Sequence, residues 1–81
     1  MKTIHFQSNI QYELLEFHYY IGSEDINIIE LLLNTDDLSS IEQDFSTTFI
    51  IKTDINTFIL SDYELSEYYI ENGRVKVICI K

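Results

Sequence analysis

Few side chains in this chain have the types and spacing that chemistry needs. His5 and His18 are its histidines and Cys79 is its lone cysteine. No His-x-x-x-His or Cys-x-x-Cys spacing accompanies them, so no zinc site is expected. Alternation places His5 opposite the Ile4 and Phe6 face and His18 within the aromatic run FHYY, where structural or surface histidines are ordinary. Cys79 alternates with Val75 and Val77, which predicts a buried, unreactive thiol. The carboxylates of TDDLSSIEQDFS, Asp36, Asp37, Glu42 and Asp44, are dense enough to suggest calcium. An EF-hand loop, however, needs ligands at alternating positions and a glycine at its sharp turn, and this stretch has no glycine. Capping and solvated charge are the expected roles. Gly22 and Gly73 stand alone, so no Gly-rich phosphate loop exists. Paired carboxylates for glycoside chemistry would need a cleft that a chain of 81 residues has little room to build. No catalytic residue, metal or cofactor is expected, and the chain is not read as an enzyme.

The elements that carry these residues must form one small domain, residues 1–81. One cysteine allows no internal disulfide. Stability has to come from apolar content, and 46% of residues are hydrophobic. Eleven are Phe or Tyr, each able to bury a large area. Thr3 to Gln7 reads as a strand, followed by a turn signal at Ser8-Asn9. Ile10 to Ile21 fits two descriptions. As a helix it has the stripe Ile10, Leu14, Phe17 and Ile21. As a strand it alternates through Ile10, Tyr12 and Leu14, then changes phase to Leu15, Phe17, Tyr19 and Ile21, as a β-bulge would produce. The aromatic run favours the strand.

Gly22-Ser23 reads as the start of a helix running from Glu24 to about Leu33. Ser23 would cap it, Glu24 and Asp25 would suit its dipole, and Ile26, Ile29, Leu32 and Leu33 would face a core. A second short helical stretch is expected through Leu38, Ile41 and Phe45. Thr47 to Thr53 and Thr57 to Ser61 read as strands around a turn at Asp54-Ile55-Asn56. Asn72-Gly73 is a strong hairpin signal, because a type I′ turn needs positive φ at both positions. It pairs Glu71 with Arg74, Ile70 with Val75, Tyr69 with Lys76 and Tyr68 with Val77. The competing description makes Asp62 to Glu71 a helix. The fold class expected is α+β: an antiparallel sheet of about four to six strands with one or two helices packed on one face.

Charge is the functional clue. The chain has fourteen carboxylates against five Lys and Arg, a net charge of −9. From Thr3 to Ile51 there are nine acidic residues and no Lys or Arg, and from Thr53 to Gly73 five more, again with none. Such a field opposes binding to nucleic acid or anionic membranes and favours a partner with a basic surface. No apolar run has the length of a membrane span or a secretory h-region, and with the lone thiol this makes the cytoplasm the expected location, that of the host cell if the protein is viral. Solubility accounts for part of the acidity, but mixed signs would achieve it at lower electrostatic cost.

A unipolar face also suits a monomeric inhibitor that mimics nucleic acid against a nuclease or other nucleic-acid-binding protein. By size and charge, phage-encoded anti-CRISPR and anti-restriction proteins and nuclease-toxin immunity proteins belong to this class. The expected contacts are Glu24, Asp25, Asp36, Asp37, Glu42 and Asp44, with Glu64, Glu67 and Glu71 as a second patch. Tyr20 and Tyr69, on outward phases, would supply contact area. The alternative is a small structural or adaptor subunit of a virus particle or other assembly, centred on Tyr20, Tyr69 and a strand edge.

Overall fold

The computed structural model describes every residue from Met1 to Lys81. Seven strands carry the fold: β1 (Thr3–Phe6), β2 (Gln11–Ile21), β3 (Asn27–Leu33), β4 (Phe49–Lys52), β5 (Thr57–Leu60), β6 (Glu64–Glu71) and β7 (Arg74–Ile80). One short helix, α1 (Ile41–Phe45), lies between β3 and β4. The strands form one antiparallel sheet in the order β5-β4-β1-β2-β3-β7-β6. The α+β expectation is therefore corrected: this is a nearly all-β protein with a single helical turn packed on the sheet.

The main error falls at Glu24 to Leu33. Only Ser23–Asp25 is helical, as one 3-10 turn, and the rest is strand β3. The run NIIELLL satisfies both periods. A helix would bury Ile29, Leu32 and Leu33 on one stripe, whereas the strand buries Ile29, Leu31 and Leu33. Long-range pairing decides between them, because β3 lies between β2 and β7 and its backbone bonds are met on both sides. Ile26, expected in the core, is half-buried beside the 3-10 turn.

The strand description of residues 10–21 holds. The register slips between Leu14 and Glu16, so Tyr12 and Leu14 share the inner face with Phe17, Tyr19 and Ile21. That bulge is where the sheet folds over. Its N-terminal part pairs with β1 and its C-terminal part with β3. Six strand spacings would separate β5 from β6 by about 29 Å in a flat sheet. The link from Leu60 to Glu64 reaches roughly 14 Å at most. The sheet must curl, and the inner faces of its two halves meet. Phe17 of β2 and Phe58 of β5 touch edge to face at 5.4 Å across the fold.

One cluster of thirteen buried residues fills the interior, drawn from the inner phases of five strands and from α1. Ile4, Phe6, Phe49 and Ile51 come from one half, and Ile29, Leu31, Leu33, Val75, Val77 and Cys79 from the other. Phe45 of α1 packs against Phe6 and Phe49 with centroids at 4.9 and 5.0 Å. The terminal hairpin matches its expected register, with Asn72 and Gly73 at φ 53° and 74°. No helix is long and apolar enough to cross a membrane.

Candidate protein-binding face

The curl leaves the outer face of β2-β3-β7-β6 open to solvent, and alternation decides what it displays. β3 presents Ile28, Glu30 and Leu32 outward, and β7 presents Arg74, Lys76, Ile78 and Ile80. Cross-strand register sets these in rows. Tyr20, Ile28, Ile80 and Glu64 form one; His18, Glu30, Ile78 and Glu67 the next; Glu16, Leu32, Lys76 and Tyr69 the third. Arg74 lies across from Glu71 at the end. The centre is a half-buried aliphatic strip of Ile28, Leu32, Ile78 and Ile80. Its rim is Glu16, Glu64, Glu67 and Glu71, with Tyr20 and Tyr69 standing 43% and 46% exposed, and Glu30 is set within the strip between Ile28 and Leu32. An apolar centre inside a polar, tyrosine-bearing rim is the anatomy of a protein interface.

The β2–β3 turn extends the rim. Glu24 and Asp25 are exposed there, both with positive φ, 59° and 60°. Gly22 permits the turn to sit close, since a Cβ on it would meet Ile28 Cδ1 at 2.7 Å.

Of the two expected acidic patches, the structure places Glu64, Glu67, Glu71, Tyr20 and Tyr69 on this face and Glu24 and Asp25 at its Glu64 end, with Glu71 at the opposite end. Asp36, Asp37 and Glu42 belong to a separate region, the β3–α1 loop and α1. Asp37 accepts the Ser39 N–H at 2.9 Å, and hydrogen bonding to Ser39 holds its carboxyl below the usual range. Glu42 accepts the Tyr68 hydroxyl at 2.8 Å, a bond that pushes the phenol up. Asp44 is not a surface contact. It is 5% exposed and accepts the hydroxyls of Ser8 and Ser40, each at 2.9 Å. It ties the β1–β2 turn to α1.

Glu30 and Glu16 were missed, together with the aliphatic strip. Reading residues 24–33 as a helix hid Glu30. The signal was present in NIIELLL and KVICIK, which are apolar in both phases and so imply strands with an apolar outer face. Glu30 also acts on its neighbour: desolvation first, and then the Glu30 charge, raise the Tyr20 phenol.

Arg74 and Lys76 offset part of this face's negative charge, but without close ion pairs. The ion pairs are Asp54 with the Met1 ammonium, and Glu16 with His18 at 3.6 Å if that ring is protonated. No Lys or Arg lies within 4.0 Å of a carboxylate. Arg74 and Lys76 sit across from Glu71 and Tyr69 as expected, but close no ion pair. The remaining candidates have structural partners. His5 Nε2 lies 2.9 Å from Thr3 Oγ1. Cys79 is buried, and desolvation pushes its thiol up to about 12. No three His, Cys, Asp or Glu side chains converge as metal ligands would. Comparison with protein families, curated proteins and solved structures found no match.

Proposed function

We propose that the chain is a small acidic binding protein that docks the outer face of β2-β3-β7-β6 onto a basic, nucleic-acid-acting protein in the cytoplasm and blocks it. The supporting observation is a carboxylate rim with no Lys or Arg in ion-pair contact, surrounding an aliphatic strip. Unpaired surface carboxylates are free to meet the Arg and Lys of a nucleic-acid groove, and their field speeds encounter. The strip and the two tyrosines supply the desolvated centre that holds a complex once formed. Direct binding to nucleic acid or to an anionic membrane is opposed by the same field. This is the reading in which a phage-encoded inhibitor or a nuclease-toxin immunity protein would act. The second reading, a structural or adaptor subunit, draws on the same aliphatic strip with Tyr20 and Tyr69, and assigns the acidity to solubility.

The test is affinity capture from the native host, then competition of the captured protein's DNA or RNA against this chain. Glu30→Lys with Glu67→Lys should abolish the competition and leave the fold intact. A partner without a basic surface, or one that holds its nucleic acid and this chain together, would move the assignment to the adaptor.

A further inference from the structure

The two edges of the sheet are built differently. β6 carries Glu64, Glu67 and Glu71 and a register slip between Leu65 and Glu67, both of which obstruct strand addition. β5, TFIL, carries no charge and no bulge. Its Thr53–Asn56 hairpin closes with a Thr53 N–H bond to the Asn56 carbonyl at 2.8 Å. Ladder bonds alternate from that pair, so Phe58 and Leu60 bond to β4, and Thr57 and Ile59 aim their N–H and C=O groups outward. Those outward groups make no other backbone hydrogen bond in the chain.

Beside this edge lies an apolar groove of about 430 Å³ lined by Phe17, Tyr19, Phe58 and Leu60. It continues past Phe17 and Phe58 into a second hollow of about 580 Å³ under the Thr53–Asn56 hairpin, where Lys2 also lies. Phe58 and Ile59 are 37% and 69% exposed. We propose that the β5 edge and this groove bind an extended peptide segment of a partner, apolar at alternate positions and basic at the end that meets Asp62, as an eighth strand. Main-chain bonds to Thr57 and Ile59 supply affinity, and side chains of one phase enter the groove between Phe58 and Tyr19.

Charge selects this occupant over a second copy. Two chains paired antiparallel through β5 would set Asp54 of each near Asp62 of the other, and would join two bodies of net charge −9. A basic end on a foreign peptide meets Asp62 favourably, whereas the other end of β5 already has cations: Lys52 across from Thr57, Lys2 in the hollow and the Met1 ammonium on Asp54. The site shares no residue with the acidic face, so either can fail alone.

The probe is a blocked heptapeptide, Lys-Val-Thr-Val-Thr-Val-Thr, whose lysine reaches Asp62 when it pairs antiparallel to β5, titrated into the full chain and followed by amide NMR. Shifts should centre on Thr57 to Leu60, Phe17 and Tyr19, with slowed exchange at the Thr57 and Ile59 amides. Glutamate in place of the lysine should weaken binding about fivefold. Ile59→Pro removes an outward donor without touching the β4 ladder and should abolish binding. Ile59→Lys, at a side chain largely in solvent, should repel the basic peptide while keeping the fold. No shift up to about 1 mM peptide, shifts on the outer face of β3 and β7 instead, indifference to the end charge, or a β5-paired dimer in sedimentation would each overturn the proposal.

Discussion

Leu31 and Leu32 are adjacent in the chain and lie on opposite faces of β3. Leu31 is fully buried among the inner residues, whereas Leu32 is half-buried on the outer strip. Leu31→Ala removes three carbons from a closed site between β2 and β7 and should cost about 2–5 kcal/mol. A chain of 81 residues has roughly 4–12 kcal/mol of stability in total. A loss of about 3.5 kcal/mol would lower Tm by roughly 14–28 °C. Leu32→Ala removes the same atoms from a surface already in contact with water and should cost less than about half as much. Urea titration followed by far-UV circular dichroism measures both, with the slope m unchanged. Were the segment a helix with Ile29, Leu32 and Leu33 inward, the order would reverse. Equal losses, or a larger loss at Leu32, would refute the strand and the face assignment built on it.

Gly73→Val should destabilise by about 1–3 kcal/mol in the same assay, because φ is +74° and a β-branched residue resists it. A Cβ there meets nothing within 4 Å, so the cost is backbone and Gly73→Asn should recover most of it. Asp44→Ala should cost about 1–3 kcal/mol by stranding the Ser8 and Ser40 hydroxyls, while Asp36→Ala leaves stability nearly unchanged. Cys79 should resist thiol reagents in the native protein. Its folded pKa is raised by burial from 9.0 to about 12, so its contribution is complete below pH 9 and lost as pH rises toward 12. Tyr12 and Tyr63, raised by desolvation, act in the same direction. Stability should therefore fall on the alkaline side, and Cys79→Ala should flatten part of that fall. An unchanged pH profile in that variant would count against the burial.

Signals that fix the backbone directly are legible, whereas the capping signal at Ser23 is not followed by a helix. Asn72-Gly73 specifies its turn through φ alone, and the register of the last two strands follows. The doubled leucine at Leu14-Leu15 marks the bulge, because alternation has to change phase there. Tyr20 and Tyr69 are outward for the same reason. The errors arise where the deciding contacts are distant. Residues 27–33 carry apolar side chains in both phases, so local pattern fits helix and strand alike, and only β7, some forty residues on, settles it. The acidic site was spread too widely for a related reason. Asp44 looks like surface charge until Ser8 arrives from the β1–β2 turn, and Glu30 joins the outer face only once β3 is a strand.

The central claim is that the outer face of β2-β3-β7-β6 engages a basic partner through its carboxylates. The most direct measurement is the affinity of the captured partner for the wild type and for Glu30→Gln with Glu67→Gln, at about 50 mM and 500 mM salt, across which the screening length falls severalfold. The account predicts that wild-type affinity drops steeply as salt rises, that the double variant binds more weakly at low salt, and that the two converge at high salt. Affinity independent of salt, with the variant indistinguishable from wild type, would contradict it.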